Sequence, residues 1–141
     1  MRKLIILLII MAIVITSGCI KQEKYPTTTT LPYQKSFGNE DFTITIPKYA
    51  NSGDRILIEV TFNFIPENNV NTYVGLVSTP YSDFIVRDAN LNWKWSNKGQ
   101  GVGYYLVIPD DVSGTHYICL LVEDAITNMD LMSKCDSIEI R

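Results

Sequence analysis

Residues 54–64 read Asp-Arg-Ile-Leu-Ile-Glu-Val-Thr-Phe-Asn-Phe, and this stretch decides the fold class. Apolar side chains occupy every even position from 56 to 64, while Glu59, Thr61 and Asn63 stand between them. Successive side chains of an extended strand point to opposite faces, so this period of two predicts a half-buried β-strand. Residues 42–46, Phe-Thr-Ile-Thr-Ile, show the same alternation and predict a second strand.

Turn-forming residues recur roughly every 8 to 12 positions from Gly38 onward, a spacing typical of all-β sandwiches and barrels. Only residues 125–132 hint at a helical turn. We predict about eight short strands, at residues 42–46, 56–64, 73–78, 84–87, 91–95, 103–108, 115–123 and 133–140.

Two turns resemble those of immunoglobulin-like and fibronectin-type surface domains. Residues 51–58 look like the Gly-Asp turn that leads into strand B, and residues 108–117 look like the corner that leads into strand F. The resemblance implies an immunoglobulin-like antiparallel β-sandwich of about seven or eight strands, with Tyr117 in the position of a tyrosine corner. Predicted strand B has no cysteine and strand C no tryptophan, which excludes the antibody disulfide. A jelly roll or a small barrel is the alternative.

The first residues have the layout of an export signal: two basic residues, an unbroken apolar run over residues 4–15, and then Thr-Ser-Gly-Cys at 16–19. Ser17 and Gly18 before Cys19 resemble the lipobox of membrane lipoproteins, although Thr16 stands where that motif usually has leucine. The resemblance implies that residues 1–18 are a signal peptide and that Cys19 is lipidated. An uncleaved signal anchor is the alternative, although twelve apolar residues rise only about 18 Å as a helix.

Residues 19–37 contain two prolines and four consecutive threonines without apolar periodicity. Such a composition is typical of a linker. We therefore predict a lipidated Cys19 with a Pro/Thr-rich tether over 19–37, followed by a β-sandwich domain over 38–141.

The 141-residue chain is 46% apolar and 19% charged, with a net charge of -3, which allows one small domain plus an appendage. It has no basic cluster, so we do not expect a nucleic-acid partner. It has a single histidine, His116, and no Gly-x-Ser-x-Gly, His-Glu-x-x-His or phosphate-binding glycine-loop motif. We therefore predict that it is not an enzyme and has no cofactor and no metal.

Cys119 and Cys135 remain once Cys19 is assigned to lipid, and two cysteines in an exported domain usually pair. If the last two predicted strands form a hairpin with these residues opposite each other, Tyr117 lies opposite Ser137. Because side chains alternate between the two faces of a strand, Cys135 then lies on the outer face of the sheet. Two free thiols are the alternative.

Trp93 and Trp95 share one face of a predicted strand, and Tyr104 and Tyr105 follow nearby. If exposed, Trp93, Trp95 and Tyr105 form a stacking platform for a sugar or peptide. Packing of the tryptophans in the core is the alternative.

Oxygen-bearing side chains occur in two predicted loops that share one end of an immunoglobulin-like sandwich. One loop holds Glu123, Asp124 and Asp130, and the other holds Glu67 and the asparagines at 68, 69 and 71. Such oxygens suit calcium, but the sequence has no calcium-loop signature, and solvated acidic loops are the alternative.

These features predict a lipid-anchored interaction module on the extracytoplasmic face of the cell membrane. Its expected partners are membrane lipid through Cys19 and an envelope protein, which makes it a protein-binding or structural component of the envelope. The alternative function is a small-ligand or glycan binder that uses Trp93, Trp95 and Tyr105.

Overall fold

A computed structural model describes residues 33–141, which form nine β-strands and no helix. The predicted signal peptide, Cys19 and residues 20–32 of the predicted tether lie outside the described residues. The strands are β1 (Gln34–Gly38), β2 (Phe42–Pro47), β3 (Tyr49–Ala50), β4 (Arg55–Phe62), β5 (Val70–Val77), β6 (Phe84–Trp93), β7 (Gln100–Val107), β8 (Gly114–Asp124) and β9 (Asp130–Ile140).

The strands form two sheets, one with the order β1-β2-β4-β7 and one with the order β3-β9-β8-β5-β6. All pairings are antiparallel except the short parallel pair β3 and β9. The order β2-β4-β7 facing β9-β8-β5 corresponds to strands A-B-E and G-F-C of an immunoglobulin-like sandwich. The predicted fold class is therefore confirmed, with β1 as an additional edge strand.

The core consists of the alternate side chains that the two sheets turn toward each other. In β4, Ile56, Ile58, Val60 and Phe62 are buried, as the period of two predicts. Burying one such side chain contributes about 1.5–3 kcal/mol. The alternation of strand β4 thus accounts for its place in the middle of the sandwich.

Strand β1 lies inside the predicted tether, so the boundary predicted at residue 38 is wrong. Residues 34–38 pair with residues 43–47 of β2. The Asn39 side chain accepts hydrogen bonds from the backbone N–H groups of Asp41 and Phe42, which closes a turn between the strands. Gly38 has φ 148°, and a Cβ there would lie 2.1 Å from the Phe42 carbonyl oxygen, so the turn requires glycine.

Strand β6 runs unbroken through residues 88–90, where the sequence predicted a turn between two strands. The Asp88 carboxylate instead accepts a hydrogen bond from the backbone N–H of Tyr105 at 2.9 Å, across the gap between the sheets. The helical turn expected at 125–132 is limited to a single turn, in which the Asn128 N–H donates to the Asp124 carbonyl at 2.8 Å, because Asp130 already begins β9.

Polar contacts join the two sheets at both edges. At one edge, Lys35 of β1 forms a 3.0 Å ion pair with Asp136 of β9 and also donates to the Ser137 hydroxyl. At the other edge, the contact between Asp88 and Tyr105 joins β6 to β7. The two contacts hold the edge strands of opposite sheets together.

Thr72 is a buried polar residue at the centre of a hydrogen-bond network. Its hydroxyl lies 2.6 Å from the Tyr104 hydroxyl and accepts a hydrogen bond from Trp93 Nε1 at 2.9 Å. Burial raises the pKa of Tyr104 above its usual value, so this phenol keeps its proton. The network links β5, β6 and β7 inside the core, where an unpaired polar group is costly.

Thr72→Val should lower the free energy of unfolding by about 1–3 kcal/mol, because the Trp93 N–H and the Tyr104 hydroxyl then lose their buried partner. Urea denaturation measures the change. Thr72→Ser keeps the hydroxyl and is the matched control, which should retain more stability than Thr72→Val. The reverse order would contradict the role of the hydroxyl.

Candidate functional site

The predicted disulfide between Cys119 and Cys135 is confirmed. The two residues are direct cross-strand partners in the β8–β9 hairpin, with their Cα atoms 4.1 Å apart. Tyr117 lies opposite Ser137, as the predicted register requires. The resemblance to a tyrosine corner does not hold, because Tyr117 lines an outer groove with Tyr81 and Ser137.

The disulfide lies on the outer face of the five-stranded sheet but is less open than strand parity predicts. Cys119 is only 5% exposed. Cys135 Sγ lies 3.8 Å from the carbonyl oxygen of Pro80, in the loop after β5. Gly75 is the partner of Cys119 on the other side, and a Cβ at Gly75 would lie 2.3 Å from the Phe84 ring. The ring of Phe84 therefore packs closely over the backbone beside the disulfide.

The exposed tryptophan platform is wrong, and the alternative of core packing is confirmed. Trp95 is 3% exposed, and its ring stacks on Phe62 with the ring centroids 4.2 Å apart. Trp95 Nε1 donates to the Phe64 carbonyl. Trp93 is half-buried, and its Nε1 donates to Thr72. Both indole rings therefore pack against other side chains and donate their N–H hydrogen bonds inside the domain.

Tyr105 is exposed, but it does not join the tryptophans. It lies on the outer face of the four-stranded sheet, while the adjacent Tyr104 points into the core. The Arg55 guanidinium lies 4.3 Å from the centroid of the Tyr105 ring. Trp93, Trp95 and Tyr105 therefore form no common binding surface, because strand alternation places Tyr105 on the side opposite the core.

The two loops expected to share one end of the sandwich do meet there. Asn68 Nδ2 donates to an Asp124 carboxylate oxygen at 3.1 Å, and the Ala125 N–H donates to the Asn69 carbonyl at 2.9 Å. The other Asp124 oxygen accepts hydrogen bonds from the N–H groups of Ile126 and Thr127.

Asp124 has a structural role in closing this turn. Hydrogen bonds from the Thr127 backbone, the Asn68 side chain and the Ile126 backbone lower the pKa of Asp124, so the carboxylate stays ionised. Within residues 33–141, no group of three histidine, cysteine or acidic residues is arranged to hold a metal ion.

Four apolar side chains are exposed at this same end, and we call them the apolar tip. They are Ile65 (46% exposed), Ile126 (75%), Met129 (66%) and Leu131 (51%). Ile65 and Leu131 line a groove of about 300 Å³ together with Phe64, Pro66 and Val70, and we call it the tip groove. Exposed apolar side chains grouped at one end of a domain often mark an interaction site.

A β-bulge positions Leu131 in the tip groove. Val122 pairs with Met132, but the next pair is Glu123 with Asp130, so Leu131 has no cross-strand partner. Bulges of this kind redirect a side chain at the end of a strand. The apolar tip was not predicted from the sequence. The available signal was that the apolar residues of segment 125–132 do not alternate as the buried residues of a strand do.

The apolar tip lies at the end of the domain opposite Tyr33, the first described residue. Tyr33 packs against Tyr49, with the ring centroids 5.2 Å apart, and its carbonyl accepts a hydrogen bond from the Lys48 N–H. β8 runs from Gly114, at the Tyr33 end, to Asp124 beside the tip. At about 3.3 Å per residue, its eleven residues separate the two ends by about 33 Å.

Within residues 33–141, no helix has the length and hydrophobicity needed to cross a membrane. No protein-family model matches the chain, and no curated protein matches it. A solved structure to which it is similar is the PKD domain of an M14-like peptidase from a Thermoplasmatales archaeon. The TM-score is 0.47 at 14% identity, over 70% of this chain and 91% of that chain. The fold assignment therefore depends on the strand order and register of this chain.

Replacing both Cys119 and Cys135 by serine should lower the free energy of unfolding by about 2–4 kcal/mol, since the bridge constrains the unfolded chain. Chemical denaturation with and without a reducing agent measures the effect. Reduction should bring the wild type to the stability of the double variant and leave the double variant unchanged. Equal stability of all samples would show that the bridge contributes nothing.

Proposed function

We propose that this protein is a lipid-anchored interaction module on the extracytoplasmic face of the cell membrane, and that its apolar tip binds a protein of the envelope. The observation that carries the proposal is the position of the tip. Four exposed apolar side chains lie at the end of the domain opposite Tyr33, where the preceding residues join it.

The interior of the domain supports a binding role. Among the described residues, every buried side-chain nitrogen or oxygen has a hydrogen-bond partner. The core of residues 33–141 is filled by apolar side chains from both sheets. Ile126 and Met129 of the tip, in contrast, expose most of their side chains. Burial of these side chains by a partner would release ordered water and favour association.

The lipid anchor is proposed from the sequence of the first 19 residues. With a lipid on Cys19, the chain leaves the membrane at its N-terminal side and reaches the domain at Tyr33. The apolar tip then lies about 33 Å from the point where the chain enters the domain. That separation suits contact with a protein. The prediction that the chain is not an enzyme stays a prediction.

Cys19→Ala should release the protein from lipid-dependent membrane attachment and leave an uncut or miscut signal, since alanine has no thiol to accept the lipid. Membrane fractionation and mass spectrometry of the mature N-terminus measure both effects. Ser17→Ala keeps a small residue before the cysteine and is the control that should remain anchored. An unmodified Cys19 within an intact N-terminal segment would instead indicate a signal anchor.

The double variant Ile126→Ser/Met129→Ser should lose the cross-linked envelope partner, because it removes exposed apolar surface without touching the core. Chemical cross-linking of intact cells followed by mass spectrometry compares it with the wild type. Val107→Ser removes a similarly exposed side chain at the opposite end and should keep the partner. Loss with Val107→Ser and retention with the tip variant would place the contact elsewhere.

A further inference from the structure

Two acidic side chains line the tip groove. Glu67 and Asp124 lie in its wall together with Ile65 and Leu131. Asp130 directly precedes Leu131 but lines a separate groove with Arg87 on the outer face of the five-stranded sheet. The tip groove itself therefore carries two carboxylates.

Glu67 and Asp124 form no ion pair in the described part of the chain. The ion pair found within residues 33–141 joins Lys35 to Asp136. Lys94 approaches the groove, but its ammonium donates to the backbone carbonyl of Glu67 at 2.6 Å and not to a carboxylate. Asp124 accepts hydrogen bonds only from neutral groups, which leave its negative charge in place.

We infer that the tip groove receives an apolar side chain from a protein segment that carries lysine or arginine beside it. This inference rests on the proposed function, and it adds the chemistry of the partner. The exposed walls of Ile65 and Leu131 match an aliphatic or aromatic anchor, which is the usual centre of a contact. The carboxylates of Glu67 and Asp124, which line the groove, match a cation beside that anchor, which favours correct partners and speeds association.

Two other occupants fit the tip less well. A second copy would bring its own Glu67 and Asp124 carboxylates against these two in a symmetric contact, and like charges facing each other oppose association. A membrane with anionic lipids would repel the same carboxylates. A cationic protein segment satisfies both the apolar groove and its charge.

The bulge at Leu131 gives the groove a fixed shape. Asp124 N–H donates to the Met129 carbonyl and Asn128 N–H to the Asp124 carbonyl, so the backbone of the turn is hydrogen-bonded on both sides. Asn69 ties this turn to the loop that carries Ile65. A partner therefore meets a surface that needs little ordering, which reduces the entropic cost of binding.

The test uses the full chain in neutral detergent micelles and two synthetic twelve-residue peptides with the same leucine positions. One peptide has lysine beside each leucine and the other has glutamate. We expect fluorescence anisotropy to show binding of the lysine peptide, with backbone NMR shifts at Ile65 and Leu131. Raising the salt from 0.1 M to 1 M shortens the screening length from about 10 Å to about 3 Å and should weaken binding.

Matched variants separate the contribution of the apolar groove to binding from that of its carboxylates. Leu131→Ser should weaken lysine-peptide binding by about tenfold, the effect typical of a central anchor position. Glu67→Gln should weaken it by a smaller factor and reduce the effect of salt. Glu59→Gln removes a carboxylate from the outer face of the four-stranded sheet and should change nothing.

Four results would overturn the inference. They are equal binding of both peptides, no binding of either peptide, lysine-peptide binding that Leu131→Ser leaves unchanged, and association of the tip with vesicles of anionic lipid. Equal binding of both peptides at the tip would leave the proposed function standing while removing its charge preference. If the tip variant loses the cellular cross-link but neither peptide binds the wild type, the proposed protein contact at the tip stands and the cationic segment is rejected as its partner.

Discussion

The backbone register between β8 and β9 determines where the side chains at both ends of the domain lie. Ile138 and Ile140 point into the core, while Cys135 points outward beside Cys119. A slip of one residue would exchange these faces and expose the isoleucines. The disulfide fixes the register of β8 against β9 by a covalent bond. Because β8 also pairs with β5, it positions β5 in the same sheet.

The same hairpin connects stability to the proposed contact surface. The pairing continues without interruption from Ile140 to Met132, and the bulge then changes the direction of Leu131. Asp124 closes the turn that exposes Ile126. The tip is therefore held by the most extensively paired part of the fold. Such an arrangement allows an exposed loop to present a defined surface, as binding loops on rigid sandwiches do.

Features set by neighbouring residues were predictable from the sequence, while features set by distant contacts were not. The alternation in β4 follows from local periodicity, and the register of the β8–β9 hairpin follows from pairing Cys119 with Cys135; both were predicted correctly. Strand β1 was missed because residues 34–38 show no apolar alternation and form a strand only by pairing with β2. The unbroken β6 depends on Asp88 reaching Tyr105, 17 residues away. The apolar tip depends on a bulge and on loops from separate parts of the chain.

Site-specific photo-cross-linking in living cells is the most direct test of the claim that the apolar tip is the contact surface. A photoreactive side chain is placed at position 129 in one version of the protein and at position 107 in another, since both sites are exposed but lie at opposite ends. The account predicts a discrete adduct with an envelope protein from position 129 and none from position 107. Adducts from position 107 alone, or from neither position, would contradict it.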